Sequence, residues 1–106
     1  MMHRFIIALS CFLMTFAAPI SAQDFEKGVA ALKNEDYAAA LKEWKPLALA
    51  GGSSSQYNMG LLYHNGLGVP QDRKEAVKWY TLAAVQGVVD AQFILAVMYE
   101  DGESVL

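Results

Sequence analysis

The residues of this sequence whose types and spacing were weighed for chemistry are His64, a run of three serines and a cluster of carboxylates. His64 has no cysteine or second histidine in the same stretch that could complete a zinc site. Ser53-Ser54-Ser55 lies outside any motif that activates a nucleophile, and it fits the cap and first turn of a helix better. Glu100, Asp101 and Glu103 are interpreted as a solvated helix end rather than a catalytic pair or a calcium loop. We therefore predict that the protein is not an enzyme and uses no metal and no cofactor.

Binding of phosphate or nucleic acid has little support in the sequence. Gly66-Leu67-Gly68 lacks the preceding strand and the third glycine of a phosphate-binding loop. The 106 residues include 11 acidic and 8 basic ones, whereas a nucleic-acid surface needs clustered lysine and arginine. We therefore predict no nucleic-acid partner. With 55% hydrophobic and 18% charged residues, the chain can form one packed domain.

The first 22 residues are predicted to be a secretory signal peptide. Arg4 supplies a positive start, residues 5–18 are an uncharged apolar run, and the segment from Pro19 to Ala22 ends in a small residue. A bilayer span needs about 20 apolar residues, so this run is too short for a membrane anchor. We expect cleavage after Ala22, no membrane span in the mature chain, and a periplasmic or secreted location. Mature residues 23–106 would carry a net charge of about −4.

Cys11 is the only cysteine of the chain, and it lies inside the apolar run. An acylated cysteine would stand at the end of such a run, whereas residues 12–16 continue past this one. We therefore expect no lipid anchor. After cleavage the mature chain would contain neither a disulfide nor a reactive thiol.

Five stretches of the mature chain place apolar residues at helical spacing, and no long stretch alternates with the period of a β-strand. The predicted fold class is therefore all-α. In the second helix, Pro46 should cause a kink or mark a local irregularity. Ser53 or Ser54 is expected to cap the third helix, and Asp72 to cap the fourth with Glu75 as the other half of a capping box. The predicted helices run from Asp24 to Lys33, from Asp36 to about Ala50, from Ser53 or Ser54 to about Asn65, from about Arg73 to Gln86, and from about Asp90 to Glu100.

The chain overlays on itself when it is shifted by about 36 residues. Small residues that permit close helix packing coincide, as do aromatic residues that fill the space between helix pairs and glycines that reverse the chain. One helix pair cannot bury its apolar face alone, so the units must stack. The identical pairs are Asp36/Asp72, Ala40/Ala76, Lys42/Lys78, Ala48/Ala84, Gly51/Gly87, Gln56/Gln92, Tyr63/Tyr99, Gly66/Gly102 and Val69/Val105, with Trp44/Tyr80, Tyr57/Phe93 and Gly60/Ala96 alike.

The most complete unit lies near residues 51–87, and partial copies lie on each side of it within residues 23–106. Its characteristic residues are Gln56 to Gly60, Tyr63, Gly66 to Val69, Asp72, Ala76, Trp79-Tyr80 and Ala83 to Gly87. Together they resemble a Sel1-like repeat, from a family related to the tetratricopeptide repeats. The resemblance covers about Asp36 to Leu106 and implies an α-α superhelix, or solenoid, of antiparallel helix pairs. In the second copy Ser104 replaces Gly68, which weakens the turn after the fifth helix.

The resemblance also implies a binding surface. Stacked helix pairs of this kind form a concave surface lined by the first helix of each pair. Asn58 occupies the position at which related tetratricopeptide repeats often hold a partner's backbone or carboxylate, and an amide suits this because it both donates and accepts. The equivalent residue of the next copy is Ile94, so we expect no paired clamp. We predict Asn58 to be a partner-binding residue; the alternative is a surface asparagine without a partner.

The fifth helix is expected to leave apolar residues uncovered. Phe93, Ile94, Val97 and Met98 have no following helix to cover them, whereas terminal repeats normally present a polar outer face. We therefore predict that the mature chain self-associates through this helix or frays after Gly87. The chain would then be a short or truncated member of its family.

The predicted function is a non-catalytic protein–protein interaction or scaffold module of the bacterial envelope, with a protein or peptide partner. One alternative is a periplasmic hydrolase or β-lactam-binding protein of the same repeat family. Some Sel1-like relatives are cysteine-rich and linked to β-lactam binding, and the absence of cysteine from the mature chain argues against that activity. A further alternative is a non-functional fragment of a longer repeat protein.

Overall fold

The computed structural model describes residues 22–102, which form five helices in series. They are α1 (Ala22–Lys33), α2 (Tyr37–Leu49), α3 (Ser53–Asn65), α4 (Arg73–Val85) and α5 (Val89–Glu100). No strand occurs in this part of the chain, and the predicted all-α fold class is confirmed. α2 continues through Pro46 to Leu49. The predicted signal peptide, residues 1–22, lies outside the described residues except for Ala22, and Cys11, Glu103 and Ser104 lie outside them as well.

Aspartate side chains cap α2 and α4, the second helix of each pair. Asp36 Oδ1 accepts a hydrogen bond from the Ala39 N–H at 3.2 Å, and Asp72 Oδ1 accepts one from the Glu75 N–H at 3.0 Å. Each cap satisfies a backbone donor that the first turn leaves open, which contributes about 1 kcal/mol. The predicted second half of the capping box is wrong, because the Asp72 N–H donates to the Tyr63 carbonyl instead.

α3 begins without a side-chain cap, so the prediction that Ser53 or Ser54 caps it is wrong. The N-cap residue is Gly52, in an extended conformation with φ −67° and ψ 112°. The Gly52 carbonyl accepts from the Gln56 N–H at 2.9 Å, which makes Ser53 the first residue inside the helix. A serine in that position no longer has the extended backbone that a capping side chain requires.

Consecutive helices pack against each other, which gives a solenoid of helix pairs: α1 with α2, and α3 with α4. Two apolar clusters form its core. The first lies where α1, α2 and α3 meet and also includes one residue of α4, and the second lies among α3, α4 and α5. The buried members of the first cluster are Ala40, Trp44, Leu47, Ala48, Met59, Leu62 and Trp79. Those of the second are Ala76, Tyr80, Ala83, Ala91 and Met98.

An aromatic ring packs directly against a glycine in each of the two helix pairs. A Cβ atom added at Gly60 of α3 would lie 2.5 Å from the Cδ1 and Cε1 atoms of Tyr80 in α4. A Cβ atom at Gly28 of α1 would likewise overlap the indole ring of Trp44 in α2. Since real carbon atoms do not approach so closely, a side chain at either position would push the two helices apart. We refer to these two contacts as the glycine–aromatic contacts.

Candidate functional site

Asn58 lies on a strip of α3 between the side that packs against α2 and the side that faces α4. Buried Met59 and Leu62 belong to the cluster shared with α2, and Gly60 faces α4. The strip between them contains Ser54, Asn58 and Asn65 at helical spacing, and the adjacent Leu61 packs against the second core cluster. Asn58 itself is half-buried. Its role in partner binding stays a prediction.

His64 is part of the packing between α3 and α4. Its Nδ1 atom lies 3.3 Å from the Tyr80 hydroxyl, and the two rings meet edge to face with centroids 5.9 Å apart. The Gln71 side-chain amide donates to the His64 carbonyl at 2.8 Å. Burial raises the pKa of the Tyr80 hydroxyl well above its ordinary value, with a smaller contribution from Tyr57. The hydroxyl therefore stays protonated and serves as a hydrogen-bonding group in the core.

The candidate serines are far from this histidine. Ser53 to Ser55 form the first turn of α3 and His64 lies in its last turn. With a rise of 1.5 Å per residue, a separation of nine or more residues places them about 14 Å apart or further. A nucleophile and its base must lie within hydrogen-bond reach. The structure thus does not bring the serines and the histidine together.

The candidate carboxylates stand at the end of α5. Glu100 and Asp101 are exposed, and the Asp101 N–H donates to the Val97 carbonyl in the last turn. Among residues 22–102, no group of three or more potential ligands could hold a metal ion. No helix in the same residues is long and apolar enough to cross a membrane.

A ladder of glutamine side chains joins the repeating units. Buried Gln56 donates from Nε2 to the Ala48 carbonyl at 3.1 Å, and Gln92, one unit later, donates to the Ala84 carbonyl at 3.0 Å. Each bond ties the start of one helix pair to the last turn of the preceding helix. The sequence analysis matched Gln56 with Gln92 but assigned no role to either residue. Their equal spacing from Ala48 and Ala84 was the signal that could have indicated one.

Gln86 extends this ladder across the α3–α4 pair. Its Nε2 atom donates to the Gly51 carbonyl at 2.9 Å and to Gln56 Oε1 at 2.9 Å. The end of α4 is thereby fixed to the beginning of α3. The residue one unit earlier is Ala50, so the sequence repeat gave no sign of this contact.

α5 has one face of exposed residues, which we call the open face; it is formed by Gln92, Phe93, Ala96 and Glu100. Phe93 is 68% exposed and the other three residues are exposed as well. The prediction of uncovered apolar residues is confirmed for Phe93 and for Val97, which is 39% exposed. It is wrong for Met98, which is 1% exposed, and for half-buried Ile94, because both pack into the second core cluster.

Charge is distributed unevenly between α4 and α5. The first half of α4 carries Arg73, Lys74 and Lys78 together with a single acidic residue, Glu75. After Lys78 the sequence contains four acidic residues and no lysine or arginine. The part of the solenoid that carries the open face is therefore acidic.

Comparison with protein-family models gives two consecutive matches to the family described as Sel1 repeat. The first covers residues 53–88 and the second residues 89–106, which together make up half of the chain. The second match begins one repeat length after the first, in agreement with the internal shift. A search of the curated proteins found no significant match.

Proposed function

The chain belongs to the Sel1 repeat family, and on that premise we propose that it is a non-catalytic scaffold of the bacterial envelope. Sel1 repeats indicate a protein–protein interaction module. The observation that carries the proposal is the regular stacking of helix pairs, because stacked pairs present the same strip of successive helices side by side. Asn58 lies on that strip of α3 and is the residue we assign to partner binding.

The positions of the histidine, serine and carboxylate side chains in the fold support a role without catalysis. The imidazole of His64 contacts the Tyr80 hydroxyl between two helices, and the Gln71 amide donates to the His64 backbone carbonyl. Ser55 is buried, and the carboxylates of Glu100 and Asp101 are solvated. A hydrolytic site of the serine–histidine type would need its nucleophile, its base and an orienting group within hydrogen-bond reach of one another.

The envelope location is supported by the sequence pattern of residues 1–22. Its test is the intact mass of the native product from the envelope fraction. A species that begins at Gln23 is expected, since cleavage after Ala22 exports the chain. An uncleaved product in the cytosolic fraction would refute the location.

Partner binding is tested by photo-crosslinking from the α3 strip. A photoreactive amino acid replaces Asn58 in one variant and Lys78, which is exposed on α4, in a matched control. A crosslinked protein species is expected from position 58 and not from position 78. Equal crosslinking from both positions, or none from either, would contradict the proposed surface.

The alternative function, a hydrolase or β-lactam-binding protein of the same repeat family, is tested directly. Purified protein is incubated with a chromogenic β-lactam, alongside a His64→Gln variant that keeps a hydrogen-bonding group beside Tyr80. No turnover above the buffer rate is expected from either protein. Turnover that disappears in the variant would establish the hydrolase alternative.

A further inference from the structure

We propose that the outward side of α2 and α4 docks on an anionic lipid bilayer, with the last turns of both helices in the headgroup layer and lysines behind them at the phosphates. The proposal rests on the envelope location of the chain, and it adds a lipid contact to the protein-binding strip of α3. It depends on five exposed positions in each helix, which we call the α2–α4 face. They are Ala38, Lys42, Lys45, Pro46 and Leu49 on α2, and Lys74, Lys78, Thr81, Leu82 and Val85 on α4.

α2 and α4 run in the same direction with their ends aligned. A Cβ atom added at Gly68, in the loop before α4, would lie 2.7 Å from backbone atoms at the start of α2. Beyond the other ends of the two helices, the Gln86 side chain donates to the Gly51 carbonyl at 2.9 Å. Trp79 of α4 also belongs to the same buried cluster as Trp44 of α2. Two helices of 13 residues held in this way present one surface about 20 Å long.

The exposure of this face is a property of the repeat. A shift of 36 residues converts the five positions of α2 into the five positions of α4, and their helical spacing keeps them on one side of each helix. Leu49 is 69% exposed although α3 and α4 follow it in the chain, and Val85 is its equivalent. A helix pair stacked after α4 therefore leaves this side of the helix uncovered, as the α3–α4 pair leaves it uncovered on α2.

Basic residues are concentrated on these two helices. α2 and α4 carry five lysine and arginine residues and two acidic ones, whereas the rest of residues 23–106 has two basic residues and nine acidic ones. Lys42 and Lys78 coincide in the repeat, yet both are exposed and lie outside the two core clusters. In a chain that is otherwise acidic, this side attracts an anionic surface.

Basic and apolar side chains are separated along each helix. Lys42 lies seven residues before Leu49, and Lys78 lies seven before Val85, a distance of about 10 Å along the helix axis. An interfacial helix buries its apolar side about 5–10 Å into the boundary between headgroups and acyl chains, and lysine stems extend their ammonium groups back towards the phosphates. The separation therefore lets the apolar ends enter the bilayer surface while the lysines stay among the headgroups.

The turns that would lead into the bilayer carry no charge. Residues 46–71 and residues 79–89 contain no lysine, arginine, aspartate or glutamate, and they include the α2–α3 and α4–α5 turns. Asp90 follows the second segment, but it matches Ser54 on the strip assigned to partner binding. Asp24, at the start of α1, is half-buried and pairs with a lysine of its own helix at 3.9 Å. The two loops at the opposite end hold three carboxylates, so the uncharged end is the one suited to lipid.

The test uses the mature chain, residues 23–106, so that the apolar run of residues 5–18 takes no part in binding. Flotation measures binding to vesicles of equal parts phosphatidylcholine and phosphatidylglycerol, or of phosphatidylcholine alone. Binding is expected to the anionic vesicles and not to the neutral ones, and it should weaken as salt is raised. Lys42→Glu combined with Lys78→Glu should lower the ratio of bound to free protein at least about tenfold, because two attractive charges become repulsive.

The matched control is Lys27→Glu combined with Lys33→Glu, which makes the same change of charge at two exposed positions of α1. It should lower the ratio less than about threefold, since salt screens charges away from the contact. Leu49→Gln should also lower the ratio by about threefold or more, whereas Leu32→Gln on α1 should leave it unchanged. Circular dichroism verifies that all variants are folded.

Four results would overturn the proposal. They are equal binding to anionic and neutral vesicles, an equal loss from the two pairs of lysine changes, a protein crosslinked from position 78, and a sedimenting dimer that the Lys42→Glu and Lys78→Glu changes dissociate. The third would make the α2–α4 face a protein interface, and the fourth would assign it to a second copy. Crosslinking from position 58 and the intact mass of the native product do not involve this face. Their outcomes therefore separate a failure of the scaffold function from a failure of the lipid contact.

Discussion

In both complete helix pairs a buried aromatic ring packs against a glycine of the other helix, but the polar atom of the ring and its hydrogen-bond partner differ. In the α1–α2 pair, Trp44 covers Gly28 and its indole N–H donates to the Phe25 carbonyl at 3.1 Å. In the α3–α4 pair, Tyr80 covers Gly60 and its hydroxyl meets His64. Each ring is buried, and each satisfies its one polar atom within its own pair. The glycine–aromatic contact therefore requires a flat ring with a polar atom at its edge, and the ring can be that of tryptophan or of tyrosine.

The loops that join the two helices of each pair differ in length and backbone conformation, whereas the glycine–aromatic contacts are alike. α1 and α2 are joined by three residues, of which Glu35 has a positive φ of 57°. α3 and α4 are joined by seven residues, in which Gly66 and Gly68 take the positive φ values. Because the same glycine–aromatic contact forms across both loops, the side-chain contact and not the loop sets how each pair closes.

The largest expected effect comes from removing a covering ring. Trp44→Ala should lower the free energy of unfolding by about 3–5 kcal/mol, because it empties a fully packed site and leaves the Phe25 carbonyl without its donor. Urea unfolding followed by circular dichroism measures this loss. The matched change Leu49→Ala, at an exposed site, should cost less than about 0.5 kcal/mol. Equal losses for the two variants would show that the contact does not hold the first pair together.

A methyl group placed in the second contact should have the next largest effect. Gly60→Ala is expected to cost about 1–3 kcal/mol despite the better helix propensity of alanine, since the new Cβ would overlap the Tyr80 ring. Combining it with Tyr80→Leu should give less destabilisation than the sum of the two single changes. Strict additivity in this double-mutant cycle would mean that the two residues are not in contact in solution.

The Tyr80 hydroxyl should make the free energy of unfolding depend on pH. The pKa of Tyr80 is raised by burial above its ordinary value of 10.0, so the folded chain binds this proton more tightly than the unfolded chain does. The associated stability is present below about pH 10 and is lost as the pH rises further. Tyr80→Phe should cost about 1 kcal/mol at pH 7 through loss of the hydroxyl contact.

Comparing urea midpoints at pH 9 and pH 11 isolates the contribution of Tyr80. The unchanged chain should lose more stability between these two values than Tyr80→Phe does. Burial also raises the pKa values of Tyr57 and Tyr63, so part of the decline remains in the variant. An identical decline in both proteins would place the Tyr80 hydroxyl in water rather than in the core.

The smallest expected effect concerns the loop of the first pair. Glu35→Gly should raise the free energy of unfolding by about 0.5–1 kcal/mol, because glycine adopts a positive φ without the steric cost that glutamate incurs. Thermal unfolding measures the gain, and Asn34→Gly, at a neighbouring position without a positive φ, serves as its control. Destabilisation by Glu35→Gly would indicate that the carboxylate makes a stabilising contact that outweighs the strain.

Local patterns were sufficient to predict the helices and the second repeat. Apolar spacing located all five helices to within about two residues, and Asp72 caps α4 as expected. The shift of 36 residues anticipated that Gly60 and Ala96 are equivalent. These features depend on residues close together in the chain, or on a repeat that the sequence states directly.

Contacts between the two helices of a pair escaped prediction for identifiable reasons. The Gly28–Trp44 contact corresponds to the Gly60–Tyr80 contact, but the two glycines are 32 residues apart whereas the two aromatic residues are 36 apart. The spacings differ because the first loop is four residues shorter than the second. The Gln86 bonds to Gly51 and Gln56 have no counterpart one unit earlier. The site assignment at Asn58 depends on a partner, so neither the sequence nor the chain's own packing tests it.

The glutamine ladder has a consequence for how the chain folds. The side-chain hydrogen bond of greatest sequence separation among residues 22–102 joins Gln86 to Gly51, only 35 positions away. Closing short loops costs little entropy, and chains dominated by local contacts fold in microseconds to milliseconds. The α3–α4 hairpin, fastened at both ends by Gln86 and by the Asp72–Tyr63 bond, is a natural nucleus from which order spreads outward to α2 and α5.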